Sequence, residues 1–388
     1  MTKRTIQHAQ ALQREHDPFI MKNVVSALAL LALILSASVY VACEQKSDFQ
    51  YASKAYQLSF PKDHAAHHGF RTEWQYYTGH LRSTDGQRFG YELTFFRTAL
   101  SLSEVKSSDN LAGRKQLYFA HFAITDETNR QFYHAEKQSR GSFGDADASE
   151  NYYKTFIGNW SAQQLGNYTL LQAETDTLSL VLILDPLKPV VLQGDAGYSR
   201  KGEDEKNASM YYSYTRLKTT GAISILGNRY TVEGESWNDH EFSTSALDKN
   251  SIGWDWFSIQ FSDSTELMLY QVRQRDGSAG KFSSGTFVRA DGSTEKLSVA
   301  DFTISPMETY TSKKTGAVYP SKWKLSIPKL AMDLVVTPTV QDQELLTKES
   351  TRISYWEGSS TVSGTRQGNP LSGNAYVELT GYAQPLSF

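Results

Sequence analysis

Short runs of alternating apolar and polar residues recur along most of the chain. Clear examples are residues 88–97, 177–184 and 266–273. A period of two residues is typical of β-strands with two distinct faces, and no stretch beyond residue 43 keeps the 3.6-residue period of a long amphipathic helix. The pattern therefore predicts an all-β fold, a sandwich or a barrel, with few helices. Turn-forming dipeptides separate the runs, at Asp85-Gly86, Gly227-Asn228, Asp276-Gly277 and Asp291-Gly292.

One pattern of this kind occurs twice. From Trp74 to Arg97 and again from Trp254 to Arg273, the chain has a Trp-x-aromatic-aromatic group, a turn, and an alternating strand that ends in arginine. A weaker match pairs TVEG at 231–234 with TVSG at 361–364. Internal repetition indicates two related β-domains in tandem. We predict one domain over residues 43–242 and a second over residues 243–388.

Composition and charge limit the classes of protein. The 22 Tyr, 19 Phe and 7 Trp residues favour strands over helices. A formal net charge of −3 argues against a nucleic-acid partner, which normally requires a basic surface. With a single cysteine, the chain has no intrachain disulfide to stabilise an exported fold.

The N-terminal region predicts export. Residues 24–42 carry no charge and follow the basic start Met21-Lys22, which is typical of a secretory signal. Cys43 comes directly after this run and resembles the lipidated cysteine of a bacterial lipoprotein box. Residues 1–42 are therefore predicted to be an N-terminal extension and signal segment, with translation starting at Met1 or Met21. We expect a lipid-anchored protein of the cell envelope; cleavage without lipidation and an uncleaved anchor are the alternatives.

The segment GESWNDHEF, residues 234–242, holds a tryptophan, a histidine and several carboxylates close together and is the main candidate for a catalytic site. On a strand, Trp237, Asp239 and Glu241 would share one face, and Asn238, His240 and Phe242 the other. A desolvated carboxyl in a barrel mouth has a raised pKa and can donate a proton. The candidate catalytic residues are Asp239, His240 and Glu241. In the alternative interpretation, these residues only tie strands together through packing and buried hydrogen bonds.

Aromatic residues are the candidate walls of a ligand site. Tyr212 and Tyr214 share one face of a strand and could line a barrel mouth together. The tryptophans that open the two repeated patterns are also explained by a repeated packing role. The candidate ligand-binding residues are Trp74, Tyr76, Trp237, Trp254, Trp256, Tyr212 and Tyr214.

Metal and serine-hydrolase chemistry have weak support. His67, His68 and His121 could join His240 as ligands, but no HExxH or paired Cys/His spacing is present, so we predict no metal and no cofactor. A serine hydrolase would need a GxSxG nucleophile elbow, which the region after residue 43 lacks.

Several segments, in order along the chain, resemble the bacterial secreted lipocalin-like proteins grouped with AttH and the carotenoid 1,2-hydratases, often labelled predicted secreted hydrolases. The resemblance implies two tandem lipocalin-like antiparallel β-barrels packed together. It also suggests an ABC transporter as a partner. The matching segments are HHGFRTEWQYYTGHL, YFAHFAITD, GYSRKGEDEKNASMYYSYTRL, GESWNDHEF, GWDWFSIQF, TGAVYPSKWKLSIP, YWEG and AYVELTGY.

Two functions follow from these observations. The first is a binding protein that holds a hydrophobic small molecule or lipid, as an accessory to an ABC transporter. The alternative is a hydratase or isomerase that acts on an apolar alkene through Asp239 and His240, in the manner of a carotenoid 1,2-hydratase. The sequence leaves open whether the protein is an enzyme.

Overall fold

A computed structural model describes residues 49–100, 116–245 and 247–386. The predicted signal segment and Cys43 lie outside these ranges. The described chain is all-β, as predicted: it forms 23 strands, β1 to β23, and its only helical elements are short 3-10 turns. None of these turns has the length or hydrophobicity that a membrane-crossing helix requires.

Thirteen antiparallel strands curl into a first barrel-like sheet, called barrel 1 below. Its main path runs β4-β3-β2-β1-β13-β12-β9-β8-β7-β6-β5, and β10 and β11 pair with β12. The strands are β1 Thr72–Ser83, β2 Arg88–Ala99, β3 Gln116–Asp126, β4 Gln131–Ser139, β5 Ala146–Ala148, β6 Lys154–Ile157, β7 Trp160–Leu165, β8 Tyr168–Glu174, β9 Leu178–Pro186, β10 Val191–Leu192, β11 Tyr198–Arg200, β12 Ala208–Ile225 and β13 Asn228–Ser245.

Ten further strands form a second sheet of the same kind, barrel 2. Its path runs β17-β16-β15-β14-β23-β22-β20-β19-β18, and β21 pairs with β22. The strands are β14 Ser251–Phe261, β15 Glu266–Gln274, β16 Ser284–Val288, β17 Thr294–Ser298, β18 Thr303–Thr311, β19 Val318–Ile327, β20 Met332–Pro338, β21 Glu344–Leu346, β22 Ser354–Arg366 and β23 Asn369–Leu379.

The repeated sequence pattern has the same place in both barrels. It covers β1 and β2 in barrel 1 and β14 and β15 in barrel 2, and each first strand also pairs with the last strand of its sheet. The weaker match of TVEG with TVSG is wrong as a structural equivalence, because β13 is a last strand and β22 is not. Barrel 1 ends at Ser245 and barrel 2 begins at Ser251. The division into domains at residue 242 stays a prediction.

The strands β1 and β13 are buried on both faces because a second barrel packs against them. Tyr77 belongs to the core of barrel 1. Its neighbour Tyr76 points the other way, and its hydroxyl donates a hydrogen bond of 2.6 Å to Glu357 in barrel 2. We call the contact surface between the two barrels the seam.

Candidate functional site

The motif at residues 234–242 lies within β13, and its side chains alternate as predicted. His240 points into barrel 1, where its ring bonds to Tyr212, and Asn238 lines a cleft inside the same barrel. Trp237 and Asp239 point into the seam. The motif therefore serves two different environments.

Asp239 faces the seam and His240 faces the interior of barrel 1, on opposite sides of the strand as the alternation predicted; a joint catalytic role for the two residues stays a prediction. The carboxylate of Asp239 accepts hydrogen bonds from the hydroxyl of Tyr211 at 2.7 Å, from Nε1 of Trp237 at 2.7 Å and from the hydroxyl of Ser213. Burial raises the pKa of Asp239 to about 6, although these hydrogen bonds oppose the shift. Three donors occupy this buried carboxylate, which is typical of a structural role.

Glu241 also faces the seam, where it forms an ion pair with Lys201. Burial lowers the pKa of Lys201 to about 7, and the charge of Asp239 opposes that shift. The ammonium group also lies 5.5 Å from the ring centre of Tyr211 and 5.7 Å from that of Trp74. Glu241 therefore contributes to the junction between the barrels, away from the interior of barrel 1.

The seven aromatic candidates divide between the same two environments. Tyr212 and Tyr214 lie inside barrel 1 and line one cleft, on the shared face that the sequence predicted. The others pack in one apolar cluster in the seam, although Trp74 also borders a cleft of barrel 1. The members of the seam cluster that were predicted to bind ligand are Trp74, Tyr76, Trp237, Trp254 and Trp256.

A chain of hydrogen bonds joins five side chains inside barrel 1. The hydroxyl of Tyr214 lies 3.1 Å from Nε2 of His64, whose Nδ1 lies 2.8 Å from the hydroxyl of Tyr212. This hydroxyl is 2.8 Å from Nδ1 of His240. Nε2 of His240 is 2.7 Å from Oε1 of Glu73. The chain thus connects a cleft-lining tyrosine to a buried carboxylate; we call it the relay.

Positive groups hold Glu73 in its ionised form. Its Oε1 accepts a hydrogen bond of 2.9 Å from His67, and its Oε2 lies 3.1 Å from Nη2 of Arg97. Burial opposes ionisation, but the hydrogen bonds from His240 and His67 and the charge of Arg97 outweigh it, so the pKa of Glu73 lies well below its usual value. The relay therefore ends in a carboxylate that can only accept.

The ionised Glu73 allows one consistent direction for the relay, in which Tyr212 donates to His240 at 2.8 Å rather than to the backbone carbonyl of Asp63 at 3.3 Å. Burial lowers the pKa values of His240 and of His64, the latter to about 4, so both rings are neutral at pH 7. Nε2 of His240 then donates to Glu73, and its Nδ1 accepts from Tyr212. Tyr212 accepts from Nδ1 of His64, and the free Nε2 of His64 accepts from Tyr214. All five groups are aligned to carry a proton from the cleft towards Glu73.

His67, Glu73 and His240 also form a geometric candidate for a metal site. Their potential ligand atoms lie within 4.8 Å of one another. Both histidines already direct N–H groups at one oxygen of Glu73, and Nε2 of His67 lies 3.1 Å from Asp63. The pKa of His67 is raised, because its bonds to Asp63 and Glu73 outweigh burial. With protonated His67 and Arg97 balancing two carboxylates, the group fits a hydrogen-bond network better than a cation site.

The other histidines of the sequence hypothesis lie elsewhere. Nδ1 of His121 is 2.7 Å from the hydroxyl of Tyr355 and its Nε2 is 2.9 Å from that of Ser350, both in barrel 2. His68 lies beside Glu150. Of the three histidines considered as ligands together with His240, only His67 lies beside it.

Two adjoining clefts open into barrel 1 beside the relay. In each cleft the centre of a water-sized sphere can reach about 20 Å³, and the two clefts share His64, Gln75 and Tyr153. The first has several apolar walls, namely Ala66, Phe95, Phe96 and Ala148. The second is lined by polar groups, among them Gln164, Asn167, Thr169, Tyr214 and Asn238.

Sequence reasoning singled out neither His64 nor Glu73 as a candidate site residue. His64 lies in a 3-10 turn, Lys62–His64, and reaches Tyr212 across 148 positions of sequence. The one available signal was the dense group HAAHH at residues 64–68 next to the first repeated tryptophan.

Comparison with known proteins identifies the family. The sequence profile described as AttH-like matches residues 51–382. The fold is similar to that of an AttH protein from Nitrosomonas europaea, with 34% identity and a TM-score of 0.77, over 86% of this chain and 100% of that one. It is also similar to kievitone hydratase from Nectria haematococca, with 16% identity and a TM-score of 0.66, over 87% and 97% of the two chains. No curated protein sequence matches the chain.

The profile match over most of the chain and the 34% identity to the Nitrosomonas europaea protein indicate the same family. The chain belongs to the AttH-like family.

Proposed function

We propose that this member of the AttH-like family is an acid–base enzyme of the hydratase type, which adds water to a conjugated double bond of an apolar small molecule in barrel 1. The relay from Tyr214 to Glu73 carries the proposal, because it starts at a cleft and has one consistent direction. The first cleft has apolar walls of the kind that such a substrate needs, and it must widen to admit the substrate.

In the proposed reaction, a water molecule in the second cleft gives a proton to the oxygen of Tyr214 as the proton of Tyr214 moves to His64. The oxygen of the water forms a bond to one carbon of the double bond. Tyr214 then returns a proton to the neighbouring carbon, and the relay regains its starting state. The net change is the addition of one water molecule, with no other reactant.

The low pKa of His64 is compatible with this role. Placing a proton on a histidine with a pKa of about 4 costs about 4 kcal/mol at pH 7. A turnover of tens per second corresponds to a barrier of roughly 15 kcal/mol, so a short-lived protonated His64 fits within it. His64 therefore acts as a transient carrier rather than a store of protons.

The similarity to a hydratase shows that this fold can carry a hydratase, but it does not identify the catalytic residues of this chain. At 16% identity, kievitone hydratase shares the architecture with this chain. The assignment of reaction type rests on the relay and the clefts.

Tyr214→Phe and His64→Gln test the relay, and Tyr310→Phe is the matched control because Tyr310 lies in β18 of barrel 2 and lines neither cleft. The proteins are incubated in D₂O and ¹⁸O-water with a panel of apolar conjugated alkenes, and products are analysed by mass spectrometry. We expect one deuterium on carbon and one ¹⁸O per product. The two relay variants should lose about 100-fold or more in rate, whereas Tyr310→Phe should keep the wild-type rate. Deuterium without ¹⁸O would indicate an isomerase, and full activity of both relay variants would refute the relay.

Binding without chemistry is the second candidate, favoured by the apolar wall of the first cleft. In this proposal the protein holds a hydrophobic molecule or lipid for an ABC transporter. Native mass spectrometry of protein purified from its own envelope tests it. A ligand that stays bound and unchanged, with equal affinity in His64→Gln, would favour a carrier over an enzyme.

A further inference from the structure

Four large apolar side chains are exposed at the mouth of barrel 1, and each is next in sequence to a residue that lines the second cleft. Tyr152, Leu165, Tyr168 and Leu187 are 62%, 51%, 48% and 51% exposed. We call these four the apolar rim. Their cleft-lining neighbours are Tyr153, Gln164, Asn167 and Pro186, respectively.

Strand pairing brings the rim residues to one side of the mouth. Leu165 and Tyr168 are direct partners at the β7–β8 turn. The amide of Gln164 donates to the carbonyl of Tyr153, which places Tyr152 beside this turn. Leu184, three positions before Leu187, pairs with Thr169. The four rim residues thus lie near one another on one side of the mouth.

The described chain also begins at this end of the barrel. The amide of Gln50 donates a 2.8 Å hydrogen bond to the carbonyl of Gly69, just before β1, and the hydroxyl of Thr244, near the end of β13, donates to Gln50. Six peptide units join Cys43 to Phe49, which span at most about 20 Å. A lipid on Cys43, as the sequence predicts, would hold Phe49 within that distance of a bilayer.

We propose that the apolar rim inserts into the surface of the lipid bilayer, so that the mouth of barrel 1 opens onto the membrane. Two of the four rim residues are tyrosines, which favour the interface between lipid and water. The lipid anchor supplies the affinity, and the rim sets the orientation. This inference rests on the predicted lipid attachment and is independent of the proposed reaction. A lipid-soluble ligand would then reach the cleft directly from the bilayer.

An environment-sensitive dye on a single engineered cysteine tests the insertion. The full chain carrying Leu165→Cys is labelled and bound to vesicles of phosphatidylethanolamine and phosphatidylglycerol. Leu226→Cys is the matched control, because Leu226 is 60% exposed at the β12–β13 turn, at the opposite end of barrel 1. If Cys43 carries no lipid, Cys43 is replaced by serine. A histidine tag placed before residue 49 then binds a nickel-chelating lipid in the vesicles and supplies the same tether.

We expect a blue shift of the dye at position 165 and at least fivefold stronger quenching by a lipid-soluble quencher than at position 226. Tyr168→Ser in the 165-labelled protein should reduce the shift. Equal, water-like spectra at both positions would overturn the proposal. A shift at position 165 that needs envelope proteins, and does not occur with pure lipid, would also overturn it and identify a protein partner instead.

Discussion

His64 decides whether the relay exists, because a proton on its Nε2 removes the acceptor for Tyr214. Burial and the nearby His240 lower its pKa to about 4. The unfolded chain, with a pKa near 6.5, binds more protons between pH 4 and 6.5, so stability should fall as the pH falls through this window. Between pH 6.5 and 4, the free energy of unfolding of His64→Gln should fall by up to about 3 kcal/mol less than that of wild type. Urea unfolding from pH 4 to 8 checks this; parallel curves for the two proteins would contradict it.

Asp239 should matter for stability more than for turnover. Asp239→Ala leaves Trp237, Tyr211 and Ser213 without their shared acceptor, and we expect a loss of about 3 kcal/mol or more in the free energy of unfolding. Asp239→Asn keeps an accepting oxygen and removes a buried charge, so it should fold within about 1 kcal/mol of wild type. Unfolding followed by tryptophan fluorescence measures both. If folded Asp239→Asn loses turnover on an identified substrate, Asp239 is catalytic as the sequence suggested.

The alternation of side chains in β13 could be predicted from sequence, but the direction of each face could not. Residues Trp237 to Phe242 are all buried, because one face fills barrel 1 and the other packs on barrel 2. A strand with only one buried face would have shown which residues point inward. The sequence therefore left open whether Asp239 or His240 points into the barrel. His64 was missed because its contact with Tyr212 joins distant parts of the chain.

At the level of elements, β2 and β22 approach closely enough to exclude a side chain. A Cβ added to Gly90 in β2 would lie 2.5 Å from Cβ of Ser359 in β22. We expect Gly90→Ala to destabilise the protein by about 1–3 kcal/mol through overpacking. Adding Ser359→Gly should restore at least half of the loss, whereas adding Ser359→Ala, which keeps Cβ, should not. Urea unfolding midpoints of wild type, Gly90→Ala and the two double variants test this. If Ser359→Gly and Ser359→Ala had the same effect on Gly90→Ala, the close approach of Gly90 to Ser359 would be contradicted.

The sequence predicted the elements better than their assembly. The Trp-to-Arg pattern marks the first two strands of both barrels, because the same order of aromatic, turn and strand residues forms the same hairpin twice. The tetrapeptide match failed because four residues do not specify a position in a sheet. The packing of Gly90 on Ser359 has no local signal at all, since it depends on how the finished barrels meet.

At the level of the whole molecule, the seam contains carboxyl groups from both barrels. Glu92 of barrel 1 and Glu357 of barrel 2 are buried, and Glu378 of barrel 2 is partly buried. Desolvation raises the pKa of all three, that of Glu92 to about 8 and that of Glu378 to about 7. Oε1 of Glu357 accepts from Tyr76, and Oε2 of Glu92 and of Glu357 have no hydrogen-bond partner among the described residues. The folded protein therefore favours the protonated forms of these carboxyl groups, because ionisation would leave an uncompensated buried charge in the seam.

This arrangement predicts that the seam weakens as the pH rises. The unfolded chain releases the proton of Glu92 near pH 4.5, whereas the folded protein keeps it up to about pH 8. Folding stability should therefore fall between these values, by about 1 kcal/mol per pH unit for this one group, and level off above pH 8. Glu92→Gln, which cannot ionise and still accepts from Thr94, should remove that slope. Urea unfolding of wild type, Glu92→Gln and the exposed-site control Glu233→Gln from pH 5 to 9 tests this. If the difference between wild type and Glu92→Gln does not grow with pH, the seam carboxyls are not held protonated.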